Sequence, residues 1–158
     1  MAAPAPEGPR VRVAALVLLD GNVVLVRHRA RSSRYHLLPG GGVDYRETLH
    51  DAVVREVREE TGLEIEVDRP LFLSDTIDPR GSRHVVNITF LARVLGGSIS
   101  EHPADPRVEA VDLVSPNELE ALDLRPPMAR DIVSYLSQTH SEARYLGPLF
   151  SDGRSDSL

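Results

Sequence analysis

GGGVDYRETLHDAVVREVREETGL, residues 40–63, is the stretch on which the rest of the chain turns. Between Thr48 and Thr61 it holds neither proline nor glycine, so a helix of nearly four turns is permitted, fed at its N-terminus by a glycine run. At about 100° per residue Leu49, Ala52 and Val53 share an apolar face. That face continues not with apolar residues but with Glu56 and Glu60, and Glu59 lies one step to the side. Three carboxylates on the side a helix turns toward a core repel and raise one another's pKa values, unless a cation sits among them. All-oxygen ligands select a hard ion, Mg2+ first and Mn2+ as its substitute.

Counted from Gly41, the spacing is Gly41, five residues, Glu47, seven residues, then Arg55-Glu56-Val57-Arg58-Glu59-Glu60-Thr61-Gly62-Leu63. This resembles the Nudix box, G-x5-E-x7-R-E-U-x-E-E-x-G-U with U aliphatic, at every specified position. Average residue frequencies put a chance match below about 10⁻⁸ per starting residue, so coincidence is set aside. The resemblance implies an α/β fold, an α/β/α sandwich around a mixed sheet, and a Nudix hydrolase. It implies Glu56 and Glu60 as principal metal ligands, Glu59 as a further or water-mediated one, and the backbone carbonyl of Gly40 as part of the metal shell. Arg55, four residues before Glu59, can pair with a carboxylate and fix its rotamer. Glu47 supports the loop or reaches a second ion. The general base stays open between the box helix and a later acid: Glu109, just before the 110–113 stretch, with Glu101 as second candidate. The catalytic set is therefore Glu56, Arg55, Glu59 and Glu109. Two unspecified positions depart from common usage: Gly42 stands where a longer side chain is frequent, and Arg46 where glycine is.

The 158 residues suffice for one domain with one core. A hydrophobic share of 41% and a charged share of 27% fit a globular soluble protein. No apolar run has the length to cross a bilayer, and residues 1–10 lack the basic and apolar regions of a signal peptide, so no membrane partner and a cytoplasmic location are expected. The absence of cysteine excludes disulfides and thiolate metal sites. A net charge of −6 argues against DNA as a partner. All 18 basic residues are arginine, whose fork suits phosphate oxygens. Arg29 and Arg34 before the glycine run and Arg80 in a later turn are candidate substrate-binding residues. Gly41 and Gly42 join them through their backbone groups.

Tails at 1–9 and 151–158 bracket a domain at 10–150. Val/Leu-rich stretches at 11–19 and 23–26 around Asp20-Gly21 predict a hairpin. Residues 27–34 are expected as a basic connection, either a wet loop or one facing phosphates. Residues 35–38 form a short strand stopped by Pro39, and 39–42 a tightly turning loop. Gly62 caps the helix. Alternation predicts strands at 63–67, ended by Pro70, then at 71–77, 84–94 and 108–114. Ser115-Pro116-Asn117-Glu118 reads as a capping box opening a short helix with Leu119 and Leu122. A last helix at 127–137 buries Met128, Ile132, Val133 and Leu136.

Clustered glutamates, a hard ion and a glycine loop fit phosphoryl or nucleotidyl transfer to water: charge on a diphosphate must be shielded, and one carboxylate must take the proton. The resemblance implies a small molecule linked through a nucleoside diphosphate. Pro79 stands 16 residues after Leu63, a spacing that in this family accompanies ADP-ribose pyrophosphatases, which ranks ADP-ribose or another ADP-sugar first. A house-cleaning nucleoside triphosphate pyrophosphatase is the alternative, and a non-catalytic nucleotide sensor the alternative of another class. Tyr35, Tyr45, Phe72 and Phe90 are the aromatics available for base stacking. Many relatives are dimers, so a homodimer is expected.

Overall fold

The computed structural model describes residues 8–138 and 142–151, so most of both expected tails, 1–7 and 152–158, lies outside the described residues. The chain opens with β1 (Arg10–Leu19) and β2 (Asn22–Ala30), joined at Asp20-Gly21. Both turn residues carry positive φ, 51° and 78°, the geometry that matches the twist of a two-residue hairpin. Pairing between the two strands is confined to the tip, Leu18 with Val23 and Leu19 with Asn22. Beyond it β1 runs parallel to β6 (His84–Gly97), from Arg10 opposite Val85 to Val17 opposite Ala92. Meanwhile β2 lies between β3 (Ser33–Leu37) and β7 (Val108–Val114), antiparallel to both.

The remaining strands are β4 (Gly40–Gly42) on β1, β5 (Leu63–Ile77) on β6, and β8 (Arg144–Pro148) on the outer edge of β5. The path β3-β2-β1-β6-β5-β8 mixes parallel and antiparallel neighbours. Every residue from Val13 to Val17 is buried, as expected of a strand covered on both faces. Val13, Ala15 and Val17 pack with Ala52, Val53 and Val57 of α1 (Leu49–Thr61). Ala14 and Leu16 join the opposite cluster with Leu119 of a short 3₁₀ helix (Pro116–Ala121) and Ile132 of α2 (Ala129–Ser137). Period-two alternation along one strand thus divides two cores, and the expected α/β/α sandwich around a mixed sheet is what forms. Among the described residues no helix is long and apolar enough to cross a membrane.

Several local expectations are corrected. Residues 27–34 are mostly strand rather than a connection, since Arg29 faces Arg34 and Ala30 faces Ser33 across the β2–β3 hairpin. Acidic side chains of β7 absorb the charge that made the stretch look wet: Glu109 meets three of its arginines and Asp112 meets Arg27. Pro70 does not end a strand. β5 continues through it, with register shifts at Val67–Arg69 and Pro70–Phe72 that place the residue lacking an N–H at an irregularity. At Ser115 no side-chain cap forms; its carbonyl accepts instead from the Glu118 amide at 2.9 Å, as a 3₁₀ turn requires. Leu49, expected on the buried face, is 37% exposed in the first turn of α1. β8 was not anticipated, for Gly147 and Pro148 interrupt any alternation a strand of five residues could show.

Candidate active site

The three glycines of β4 pair with β1, Ala14 opposite Gly40 and Val13 opposite Gly41, so the expected turning loop is a strand. None of the three has positive φ. Glycine is needed here for space. A Cβ on Gly40 would lie 2.1 Å from the Val13 carbonyl oxygen, and one on Gly41 2.4 Å from the Glu56 carboxylate. Ala15 donates to the Pro39 carbonyl and Val43 to that of Val11, so the odd-numbered pairs carry the ladder. Gly40 and Gly42 therefore turn their amides and carbonyls outward. The Gly40 amide donates to Glu60 Oε2 at 2.8 Å, and the Gly42 carbonyl accepts from Arg55 at 3.2 Å.

Helix α1 presents the acids to this edge. Thr48 caps it, its hydroxyl oxygen accepting from the Asp51 amide at 3.1 Å, and Gly62 at φ 81° closes it by donating to the Arg58 carbonyl. Glu56 and Glu60 are buried, at 7% and 1% exposure. Glu59 is not with them: its side chain is 46% exposed at the rim. Two of the three expected carboxylates thus converge inward, because one helical step carries Glu59 out of the sheet-facing arc.

Arg55 does far more than a surface ion pair. Its Nε and Nη2 clasp both oxygens of Glu47 at 2.7 and 2.8 Å, while Nη1 donates to Glu56 Oε1 at 2.8 Å and stands 3.6 Å from Glu59. Glu47 also accepts from the Asp44 amide at 3.0 Å. Arg55 together with that amide holds the Glu47 carboxyl down at about 2. The first box glutamate is therefore an anchor for the arginine that orients Glu56. Replacing Arg55 with Lys keeps the charge but loses the fork. About a tenfold to hundredfold loss of metal affinity is expected, read by calorimetric titration of the metal.

The loop at 98–107 folds over the C-terminal turn of α1, Ser100 donating to the Thr61 carbonyl and Ala104 to that of Glu59, both at 2.9 Å. It brings Asp105, clasped by Arg107, into the field of Glu60. Burial pushes the Glu60 carboxyl up to about 7. Glu56 and Asp105 push the same way, against the Gly40 amide and Arg12. Arg12 donates to the Leu38 carbonyl at 2.9 Å, and burial lowers its pKa while Glu60 and Glu56 raise it. Arg12, Asp105 and Arg107 were missed from sequence. Arg12 had a signal, an arginine at an inward position of a strand otherwise built from Val, Ala and Leu.

The other expected site residues hold partners of their own. Glu109 on β7 is held by Arg34 at 2.7 and 3.1 Å, with Arg27 and Arg29 each at 3.3 Å. The Arg34 hydrogen bond keeps its carboxyl below the usual range, which makes it a weak proton acceptor. Arg34 spends its fork on Glu109, Arg29 sets one nitrogen 3.3 Å from the same carboxylate, and Arg80 spends its Nε on Asp78 at 3.1 Å. Glu101 is exposed on the 98–107 loop. Of the four aromatics, Phe72 and Phe90 are core and Tyr45 is 95% exposed; Tyr35 lines a cavity.

Among the described residues no three acidic or histidine side chains form a ready-made cluster. Two buried carboxylates nevertheless each keep one oxygen, Glu56 Oε2 and Glu60 Oε1, without a donor among the described residues. The Gly40 carbonyl shares their edge. Two carboxylate oxygens and a backbone carbonyl along one glycine edge are the hard-oxygen donor set that suits a divalent ion retaining several waters.

Residues 8–136 match the model of the NUDIX domain, and the chain belongs to the Nudix family. An ADP-ribose pyrophosphatase of Methanocaldococcus jannaschii is 36% identical over 108 residues, 66% of this chain and 63% of that protein. The match thus spans less than two thirds of that relative's length. The crystal structure of an ADP-ribose pyrophosphatase from Streptococcus suis superposes with a TM-score of 0.68 at 26% identity, covering 87% of this chain and 99% of the other. A MutT NUDIX hydrolase from Burkholderia pseudomallei gives 0.63 at 32% identity, over 85% and 100%.

Proposed function

We propose that this protein is a divalent-metal-dependent pyrophosphohydrolase that splits the diphosphate of a nucleoside diphosphate derivative, with ADP-ribose or another ADP-sugar as substrate. The observation that carries this is the burial of Glu56 and Glu60 against the glycine edge of β4, each with an oxygen left over. Those two carboxylates and the Gly40 carbonyl hold the ion, Mg2+ by preference with Mn2+ as substitute. When bound, the ion supplies charge shielding for the diphosphate and a more acidic water. Arg55 fixes the Glu56 rotamer, the Gly40 amide fixes that of Glu60, and β4 keeps both in register with the sheet.

Glu59 is the proton acceptor in this proposal. It is exposed enough to meet water and lies 3.6 Å from the Arg55 guanidinium that orients it. Glu109, with three arginines around it, instead holds the β2–β3 hairpin to β7. The ADP-ribose assignment draws support from the relatives of Methanocaldococcus jannaschii and Streptococcus suis. A panel of ADP-ribose, ADP-glucose and nucleoside triphosphates with Mg2+, followed by AMP, phosphate and pyrophosphate release, tests it. AMP from ADP-ribose is expected; pyrophosphate from a triphosphate with no AMP from ADP-ribose would move the enzyme to the triphosphate class. No turnover of any of them would leave a nucleotide sensor.

A further inference from the structure

A cavity of about 340 Å³ opens on the side of β1 away from α1, and Arg12 belongs to its wall as well as to the field of Glu56 and Glu60. Among the described residues three arginines line it, Arg12, Arg83 and Arg125, and no carboxylate does, in a chain of net charge −6. Arg125 is accounted for: it grips Asp123 at 2.7 and 3.0 Å and lies over the Tyr35 ring, 4.2 Å from its centre. Arg12 and Arg83 are not. Among the described residues neither forms an ion pair with a carboxylate, and Arg12 gives one hydrogen bond to a backbone carbonyl. Burial depresses the Arg12 pKa, and the charge of Arg83 adds to that depression, so the two guanidiniums feel each other. Two like charges facing one cavity, neither in an ion pair among the described residues, are stabilised by an anion placed between them.

The rest of the wall says what that anion is attached to. Tyr35 offers a ring already polarised by a cation, Phe150 an apolar face, and Asn87 an amide steadied by its bond to Thr76 at 2.9 Å. Ring faces with an amide suit a nucleobase. We propose that Arg12 and Arg83 clamp the phosphate of a nucleoside 5′-monophosphate unit whose base lies in this cavity beside Tyr35. That this unit is half of the substrate rests on the hydrolase proposed above; that it binds here does not. Arg83, three residues after Arg80 in the β5–β6 turn, takes the phosphate role the sequence had given to Arg80.

The test is equilibrium titration of the full chain in EDTA with AMP, adenosine and inorganic phosphate, on wild type, Arg12→Gln, Arg83→Gln and Arg83→Lys. Wild type is expected to bind AMP, with adenosine and phosphate each at least about tenfold weaker. Each Gln variant should lose about tenfold for AMP and little for adenosine, while Arg83→Lys recovers part of the loss. Arg83 is an exposed turn residue, so its variants carry the test even if Arg12→Gln misfolds. Absence of AMP binding by wild type, adenosine or phosphate binding as tightly as AMP, or unchanged AMP affinity in the Arg83→Gln variant overturns the clamp. If these arms hold while ADP-ribose goes uncleaved, the clamp stands and the substrate assignment falls. If ADP-ribose is cleaved while AMP affinity ignores Arg83, the reverse is true.

Discussion

Glu60→Gln is expected to cut metal-dependent turnover by about a hundredfold to a thousandfold while making the metal-free protein more stable above neutral pH. The two effects have one cause. Glu60 is 1% exposed, and burial lifts its carboxyl to about 7 against an ordinary 4.5. A carboxyl whose folded pKa is raised favours folding while protonated. In EDTA its contribution is greatest at pH 4.5 and below, and is lost as pH rises through about 7, by something on the order of 3 kcal/mol. Gln still accepts from the Gly40 amide, as Glu60 does at 2.8 Å, but carries no charge to strand. Thermal melts in EDTA between pH 5 and 8 should fall for wild type and stay flatter for the variant. Adding Mg2+ at pH 8 should raise wild type alone. Full turnover by Glu60→Gln, or the same pH slope in both proteins, would remove Glu60 from the site.

That experiment shows why the site was legible in part. The box helix announced Glu56 and Glu60 because a 3.6-residue period interrupted by acid on its apolar face has few structural explanations. The same period sets Glu59 one step to the side of them, but whether that step leaves its side chain facing in or out depends on how α1 is rotated against β4, which is tertiary. Arg12 carried its signal in β1, an arginine at an alternating inward position, but its partners lie far along the chain and only the fold brings them near. The arginines at 27, 29 and 34 looked like a phosphate track for the same reason. Their neutralising acids, Glu109 and Asp112, stand on a strand some 80 residues later in the sequence. Strands buried on both faces were legible from composition alone, whereas β8 pairs by position on an open edge and leaves almost no pattern.

Gly40→Ala and Gly41→Ala, neighbours in sequence and strand, are expected to fail in opposite ways. At Gly40 the added Cβ would stand 2.1 Å from the Val13 carbonyl oxygen and 2.6 Å from the Ala14 Cα. Those are backbone atoms of the central strand, unable to swing aside, so β4 must part from β1 and take the Gly40–Glu60 bond with it. A loss of about 3 kcal/mol or more is expected, with Tm and activity falling together. At Gly41 the obstruction is the Glu56 carboxylate at 2.4 to 2.5 Å, the far end of a flexible side chain. Glu56 can rotate out and release Arg55 from one of its bonds while the ladder survives. Stability should change by no more than about 1 kcal/mol, yet metal affinity and turnover should fall at least about a hundredfold, because one of the two buried ligands has left. Denaturant melts set beside metal titrations separate the pair. Equal loss of stability in both variants would mean that Gly41 serves the strand and not the carboxylate, and would take from Glu56 its place beside the glycine edge.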